Sequence, residues 1–324
     1  MFDKRRAGFL DFQRFVVPGT GRHSCVRNGL LLLAVAFCGF GCSSRRAPVP
    51  EDSLTSGRIS VVCAPEARTL LERERETFAK LYPQADIRMV DGGSREAVRA
   101  LFAAQADLAA ITRDLEPEER AAAVRGRLEL EGYHFARDAV VVVVHAGNPV
   151  ENLALDDLRR IYESKVSNWS RLGGRDQPIV PVLQPPTADI SEFFVQSVMS
   201  GEPITAPVAS VASDSAVVAY VRDHENAIGF VSMAWSARAP RTLRVAKLTG
   251  LPYVEPDPET VYRGEYPLTR YLNLYVRPDG PRLANGFITF VTSRDGQALV
   301  HEAGLVPTSV PVRFVRRSPM QSSH

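Results

Sequence analysis

From about residue 58 the chain alternates between strand-like and helix-like segments, and this alternation restricts what it can fold into. Apolar residues recur at helical spacing between Pro65 and Tyr82, directly after a short apolar run. A run of five valines within residues 139–145 is typical of a strand that is covered on both faces. The predicted strands are 59–63, 86–90, 108–111 and 139–145. The pattern therefore predicts an α/β protein.

Three of these strands end in short turns that carry small, hydroxyl or charged side chains. The turns are Cys63-Ala64-Pro65-Glu66, Gly92-Gly93-Ser94 and Thr112-Arg113. In an open α/β sheet, ligands bind outside the carboxyl ends of the strands, where free N–H groups of the following helices attract anions. The same residues are also ordinary for a turn followed by a helix N-cap. The turns alone therefore leave both an anion site and a purely structural role open.

An apolar segment precedes the body of the chain, from Leu30 to Phe40. Its eleven residues are too few to span a bilayer as a stable helix, but they suit the core of a signal peptide. Arg22 and Arg27 lie before it, and Gly41-Cys42-Ser43-Ser44 follows. This arrangement resembles a bacterial lipoprotein signal, with a plain secretory signal or an uncleaved anchor as the alternative.

The resemblance to a lipoprotein signal implies that residues 1–41 are the signal peptide and that Cys42 becomes the lipidated N-terminus. Residues 42–57 are polar and contain prolines, which predicts a flexible tether between the membrane and the folded body. Cys63 would then be the single free thiol of the mature chain, so we expect no intramolecular disulfide. We interpret Cys63 as a small buried residue rather than as a reactive thiol at a helix N-terminus.

Charge and motifs argue against several classes of function. The formal net charge is +2, but residues 1–41 contribute +4, so the body is close to neutral and nucleic acid is not expected as a partner. The chain contains neither a Gly-x-Ser-x-Gly elbow nor the Gly-Lys pair of a phosphate-binding loop, and its six histidines are scattered singly. We therefore expect neither an enzyme, nor a metal site, nor a cofactor.

Eight further segments narrow the interpretation when they are taken together. They are Asn148-Pro149-Val150, Leu155–Tyr162, Lys165–Trp169, Gly173-Gly174, Ala227–Val231, Tyr266–Leu272, Phe290–Ser293 and Gly304–Pro307. In this order they resemble the PstS-like phosphate-binding proteins of ABC importers. The resemblance extends from about residue 58 to residue 310, which is nearly the whole body.

The resemblance implies an α/β, two-lobed type II periplasmic-binding-protein fold, in which each lobe is an α/β sheet sandwich and the ligand lies in the cleft between them. Lobe one would comprise residues 58–137 and 255–312, lobe two residues 138–254, and residues 313–324 a C-terminal tail. It also implies a monomeric, lipid-anchored protein of the periplasm or cell surface. That protein would capture inorganic phosphate or a similar oxyanion and deliver it to an ABC permease.

Transfer of the family's anion-contacting turns onto this chain gives eight expected ligand-binding residues. They are Ala64, Glu66, Gly93, Ser94, Thr112, Arg113, Asp138 and Thr187. Asp138 would accept the proton of a monohydrogen phosphate, and Arg113 and Arg137 would donate charge-assisted hydrogen bonds to it.

Two of the four anion-contacting turns depart from the family pattern. Glu66 places a carboxylate where phosphate binders have a hydroxyl-bearing turn, and a carboxylate repels a dianion. In lobe two, Gln184 replaces the family's arginine, and Ala188-Asp189-Ile190 replaces Ser-Gly-Thr. Two alternatives therefore stay open: a receptor or sensor of the same fold for a different acidic solute, and a surface or scaffold lipoprotein that has lost its ligand.

Overall fold

The computed structural model describes residues 51–308. The predicted signal peptide 1–41, the lipidation site Cys42 and the predicted tail 313–324 lie outside the described residues. The strands are β1 (Gly57–Cys63), β2 (Ala85–Asp91), β3 (Leu108–Ile111), β4 (Glu131–Val144), β5 (Asn152–Ala154), β6 (Val180–Leu183), β7 (Ala209–Ser210), β8 (Ala227–Ser232), β9 (Arg241–Thr242), β10 (Arg244–Ala246), β11 (Thr269–Val276) and β12 (Val306–Pro307). The α-helices are α1 (Pro65–Leu81), α2 (Ser94–Phe102), α3 (Pro117–Gly126), α4 (Leu155–Tyr162), α5 (Asp189–Ser197), α6 (Asp214–Asp223), α7 (Pro258–Arg263), α8 (Arg282–Val291) and α9 (Arg294–Glu302).

The strands form two sheet regions that are joined through the long strand β4. In lobe one, β1 pairs in parallel with β2 and β3, and β11 pairs antiparallel with both β3 and β4. In lobe two, β4 pairs antiparallel with β8, and β6 joins β8 to β7 through parallel pairing. The α/β, two-lobed architecture expected from the sequence is confirmed.

Strand β4 extends over both lobes because its two halves differ in sequence. The valine-rich half from Ala139 to Val144 is completely buried and pairs with β8 of lobe two. The first half, residues 131–138, begins with mostly exposed polar residues and pairs with β11 of lobe one. The sequence pattern predicted only the apolar half, since the polar half lacks a continuous apolar run.

The described end of the predicted tether packs against lobe one. The carboxylate of Asp52 accepts hydrogen bonds from the backbone N–H groups of Arg282 and Leu283, at 3.0 and 3.3 Å, and so caps the N-terminus of α8. Gly286 allows the close approach, because a Cβ atom there would lie 1.7 Å from the carbonyl oxygen of Leu54. Residues 51–56 of the expected tether are therefore held on α8.

Cys63, the last residue of β1, is completely buried. Burial raises the pKa of its thiol to about 11, although the neighbouring Arg68 guanidinium opposes the shift. The thiol is therefore protonated at neutral pH, which supports our interpretation of Cys63 as a packed apolar residue rather than a reactive thiol.

A buried ion pair joins β4 to β11 where the chain crosses between the lobes. Nη2 and Nε of Arg270 donate to Oδ2 of Asp138 at 2.9 and 3.0 Å, and the two residues face each other in the strand register. Oδ1 of Asp138 accepts from the Ser232 hydroxyl at 2.7 Å and from the Met233 N–H at 3.1 Å, both at the end of β8. One carboxylate thus connects β4, β11 and β8.

A second buried carboxyl group lies inside lobe one and has a different environment. Glu74 of α1 is completely buried, and neither of its side-chain oxygens has a hydrogen-bond partner among the described residues. Burial alone raises the pKa of Glu74 to about 9. The folded protein therefore holds this carboxyl group in its neutral form at physiological pH.

We predict that Glu74→Met stabilises the protein at pH 8 and changes little at pH 5. Between the usual carboxyl pKa and about 9 the unfolded chain releases a proton that the folded protein keeps. The free energy of unfolding of the wild type should therefore fall with pH, by on the order of 1 kcal/mol per pH unit from this group. Urea denaturation between pH 5 and pH 8 measures the slope, with Glu76→Gln on the exposed side of α1 as control. Parallel slopes for wild type and Glu74→Met would contradict the assignment.

We also predict that Arg270→Met destabilises the protein by about 3–5 kcal/mol, because it leaves the Asp138 carboxylate buried without its cation. The double variant Arg270→Met/Asp138→Leu should recover part of this loss. Guanidinium denaturation measures the free energies of unfolding of both variants. The control Arg263→Ala, which breaks an exposed pair with Glu259, should lower the free energy of unfolding by less than about 1 kcal/mol. A small effect of Arg270→Met alone would disprove the role of the pair.

Candidate functional site

The turns singled out in the sequence meet in the cleft between the lobes. Strands β1, β2 and β3 are parallel, so their carboxyl ends lie at the same edge of the sheet, and α1 and α2 begin there. Strand β6 of lobe two ends opposite this edge, and α5 begins after it. The beginnings of α2 and α5 are close enough for direct hydrogen bonds, which places the two helix N-termini on the two walls of the cleft.

The Asp189 carboxylate of α5 is bound by the lobe-one residues that were expected to bind an anion. The backbone N–H of Ser94 donates to Oδ1 at 3.1 Å, and the Thr112 hydroxyl donates to Oδ2 at 3.0 Å. The Ser94 hydroxyl also donates to Oδ2 and in turn accepts from the Thr112 N–H at 3.1 Å. Gly93 lies beside this carboxylate, where a Cβ atom would be 3.6 Å from Oδ1 of Asp189, an ordinary van der Waals contact. The structure thus brings Gly93, Ser94 and Thr112 together, around a carboxylate of the protein itself.

Glu66 makes the corresponding contact in the opposite direction. Its Oε1 atom accepts a hydrogen bond from the backbone N–H of Ile190, at 3.0 Å, so a lobe-one carboxylate caps the lobe-two helix α5. Burial raises the pKa of Glu66, while the Arg270 guanidinium, with Nη2 at 3.8 Å from Oε1, opposes the rise. Glu66 therefore does lie in the cleft as expected, as a partner of α5.

Both arginines that were expected to bind the anion have partners within the protein. The Arg113 guanidinium forms a bidentate pair with Glu119 of α3, at 2.7 and 2.8 Å, and this hydrogen bonding raises the pKa of Arg113 although burial opposes the charge. Arg137 donates to the carbonyl of Tyr262, and its guanidinium lies 5.1 Å from the ring centre of Tyr271. Both guanidinium groups thus have partners within the protein, and Arg113 also lines a smaller cavity together with Thr112 and Asp189.

Two of the remaining expected ligand-binding residues have hydrogen-bond partners within the protein, and the third, Thr187, is exposed at the cleft. Asp138 is saturated by Arg270, Ser232 and Met233, so it is not a free acceptor for a phosphate proton. The N–H of Ala64 is bound to the Ala110 carbonyl at 3.0 Å. Thr187 is exposed and lines the cavity described next.

An open cavity of about 900 Å³ lies beside the two carboxylates. Glu66, Asp189 and Asp214 line it together with Thr187 and Trp235. Asp214 accepts a hydrogen bond from the Gln184 amide at 2.8 Å. Burial, and then the charges of Glu66 and Asp138, raise the pKa of Asp214 to about 7. This side of the cleft is therefore acidic.

Sequence reasoning missed three residues of the site: Asp189, Asp214 and Arg270. The replacement of the family's Ser-Gly-Thr by Ala188-Asp189-Ile190 was visible as a lost donor set, and the gain of an acceptor was the signal that could have identified Asp189. Within residues 51–308, no helix is both long and apolar enough to cross a bilayer. The same range holds no cluster of His, Cys, Asp and Glu suited to a metal ion.

Comparison with known proteins places this geometry in context. A family model described as a PBP superfamily domain matches residues 48–295. The phosphate-binding protein PstS of Bacillus subtilis is 26% identical over 297 residues, covering 86% of this chain and 93% of the relative. PstS of Pseudomonas aeruginosa is 25% identical over 312 residues, covering 87% of this chain and 95% of the relative.

The fold is also similar to a crystal structure from Clostridium perfringens. That protein is assigned as a phosphate ABC transporter substrate-binding protein and was solved with bound phosphate. The TM-score is 0.69 at 25% sequence identity, and the match covers 78% of this chain and 100% of that one. With the family model matching well over half of its length, the chain belongs to the PBP superfamily and is related to the PstS phosphate-binding proteins.

Proposed function

We propose that this chain is an exported, lipid-anchored solute-binding protein that captures a phosphate-class oxyanion between its lobes and delivers it to an ABC permease. The observation that carries the proposal is the donor set of Ser94 and Thr112, which holds both oxygens of a carboxylate. A carboxylate stands in for two oxygens of a tetrahedral oxyanion at such a site. The relatives named as phosphate-binding proteins support the same ligand class.

The proposed mechanism is lobe closure without chemistry or cofactor. An oxyanion binds to the N-terminus of α2 in one lobe and completes its hydrogen bonds on the N-terminus of α5 in the other. It shifts the open–closed equilibrium by the difference between its affinities for the two states. The Asp189 carboxylate must leave the donors of Ser94 before the solute can use them.

A second candidate function is favoured by the same carboxylate. Asp189 satisfies the donors of lobe one, and Glu66 satisfies α5, so the cleft can close without a solute. A surface or scaffold lipoprotein that has kept the fold and lost the ligand would have this property, as would a receptor for another acidic solute. Measured oxyanion binding decides between these candidates.

We predict that phosphate binds to the purified protein and that Ser94→Ala and Thr112→Val each weaken binding by about tenfold or more, because each removes a hydrogen bond to a charged group. Isothermal titration calorimetry with phosphate, arsenate and sulfate at matched ionic strength measures the dissociation constants. Arg113→Ala should change them much less, because Arg113 is engaged by Glu119.

The exposed hydroxyl variant Thr289→Ala on α8 is the matched control for that series. If Ser94→Ala and Thr112→Val both bind phosphate with the affinity of the wild type, the proposed site is wrong. Absence of binding for every oxyanion would favour the scaffold or the receptor for another solute.

Lipid attachment at Cys42 is tested separately. We predict that Cys42→Ala releases the protein from the membrane fraction into the soluble exported fraction, because no thiol remains for acylation at that position. Fractionation with detection of the protein measures this, and Cys63→Ala, in the folded core, should leave the distribution unchanged. Continued membrane attachment of Cys42→Ala would contradict lipidation there.

A further inference from the structure

We propose that Asp189 is an internal ligand of the cleft, and that it sets the affinity for solute oxyanions by competing with them for the donors of Ser94 and Thr112. The inference rests on the proposed function and adds a residue that determines how tightly the site binds. It also assigns Glu66 the matching role on the opposite wall.

The first step of the argument is the chemistry of the occupied donors. Asp189 is more than nine-tenths buried, and its two oxygens receive the Ser94 N–H, the Ser94 hydroxyl and the Thr112 hydroxyl. The two Ser94 donors lie at the N-terminus of α2, where the helix dipole favours negative charge, and Thr112 directly follows β3. A solute oxyanion would need the same donors, so the two cannot be bound there together.

The second step is that neither facing helix has a side-chain cap of its own. The N-cap residues are Gly93 for α2 and Ala188 for α5, and neither side chain can accept a hydrogen bond. The cap of α2 comes from Asp189 in lobe two, and the cap of α5 comes from Glu66 in lobe one. The two carboxylates thus cap each other's lobes in a reciprocal arrangement, which we call the carboxylate latch.

The third step concerns charge. Arg270 is the buried cation that both Asp138 and Glu66 approach, and it already donates two hydrogen bonds to Oδ2 of Asp138. A dianion added beside Glu66 and Asp189 would therefore be repelled by both carboxylates, while the Arg113 guanidinium, which shares a smaller cavity with Asp189, is itself paired with Glu119. Binding requires that Asp189 moves away from Ser94, and the cost of that movement weakens the apparent affinity.

The size of the effect follows from the population of the latched state. If only one molecule in 10 to 100 has the donors free, the apparent dissociation constant is about 10- to 100-fold higher than that of the free site. A half-exposed ion pair of Arg95 with Glu192, at 3.7 Å, also bridges the lobes, but exposed pairs of this kind contribute little. The latch therefore accounts for most of the competition.

The test compares the full chain in detergent with Asp189→Asn, which keeps the shape and removes the charge, and with Asp189→Gly, which removes the side chain. Equilibrium dialysis with radiolabelled inorganic phosphate gives the dissociation constants, and hydrogen exchange reports the backbone N–H of Ser94. Asp156→Asn, an exposed acid of lobe two, is the matched control.

We expect both Asp189 variants to bind phosphate at least tenfold more tightly than the wild type. Without phosphate their Ser94 N–H should exchange faster, and phosphate should restore its protection. Wild-type affinity equal to or higher than that of both variants would overturn the internal-ligand role and leave the proposed function standing. Failure of the wild type and both variants to bind any phosphate, with folds intact by circular dichroism, would remove the proposed function and this inference with it.

Discussion

The structure depends on how two helix N-termini that face each other across a cleft obtain their hydrogen-bond acceptors. Helices α2 and α5 begin after Gly93 and Ala188, and the N–H groups of a first helical turn need partners from outside the helix. Asp189 and Glu66 supply these partners from the opposite lobes. Because each cap crosses the cleft, the same hydrogen bonds stabilise the helix N-termini and hold the two lobes together. An anion that replaces a cap therefore changes both.

Burial of several acids at this position requires compensation, and the protein uses two different means. Arg270 neutralises Asp138 through two hydrogen bonds to Oδ2 and lies near Glu66, so one guanidinium serves both the strand crossing and the cleft. Asp214 forms no ion pair among residues 51–308, and burial raises its pKa to about 7 although the charge of Arg270 opposes the rise, so it is partly protonated at neutral pH. The acidic side of the cleft is therefore less charged than its composition suggests, which is how the carboxylates coexist within one cavity.

Much of this architecture could be predicted from local sequence patterns, whereas the pairing of charges could not. The run 108–111 gave the bounds of β3, and the helical spacing from Pro65 gave α1 to within one residue, because both signals are local. The pair of Arg113 with Glu119 was not predicted, because a guanidinium after a strand can turn toward a cleft or toward its own following helix, and only the fold brings Glu119 beside it. Arg270 was missed because its partner Asp138 is 132 residues away, on another strand.

Ala188-Asp189-Ile190 stands where the resemblance to the PstS-like family implies Ser-Gly-Thr, and this difference has two consequences that act together. It removes hydroxyl donors from lobe two, which weakens any solute oxyanion held between the lobes, and it adds an acceptor that fits the donors remaining in lobe one. A loss of donors alone would leave Ser94 and Thr112 of lobe one facing lobe two without an anion, at the cost of unsatisfied polar groups. The gain of Asp189 removes that cost, so the fold keeps a closed cleft whichever solute it binds. What separates a receptor from a scaffold in this chain is therefore how readily one carboxylate leaves its donors.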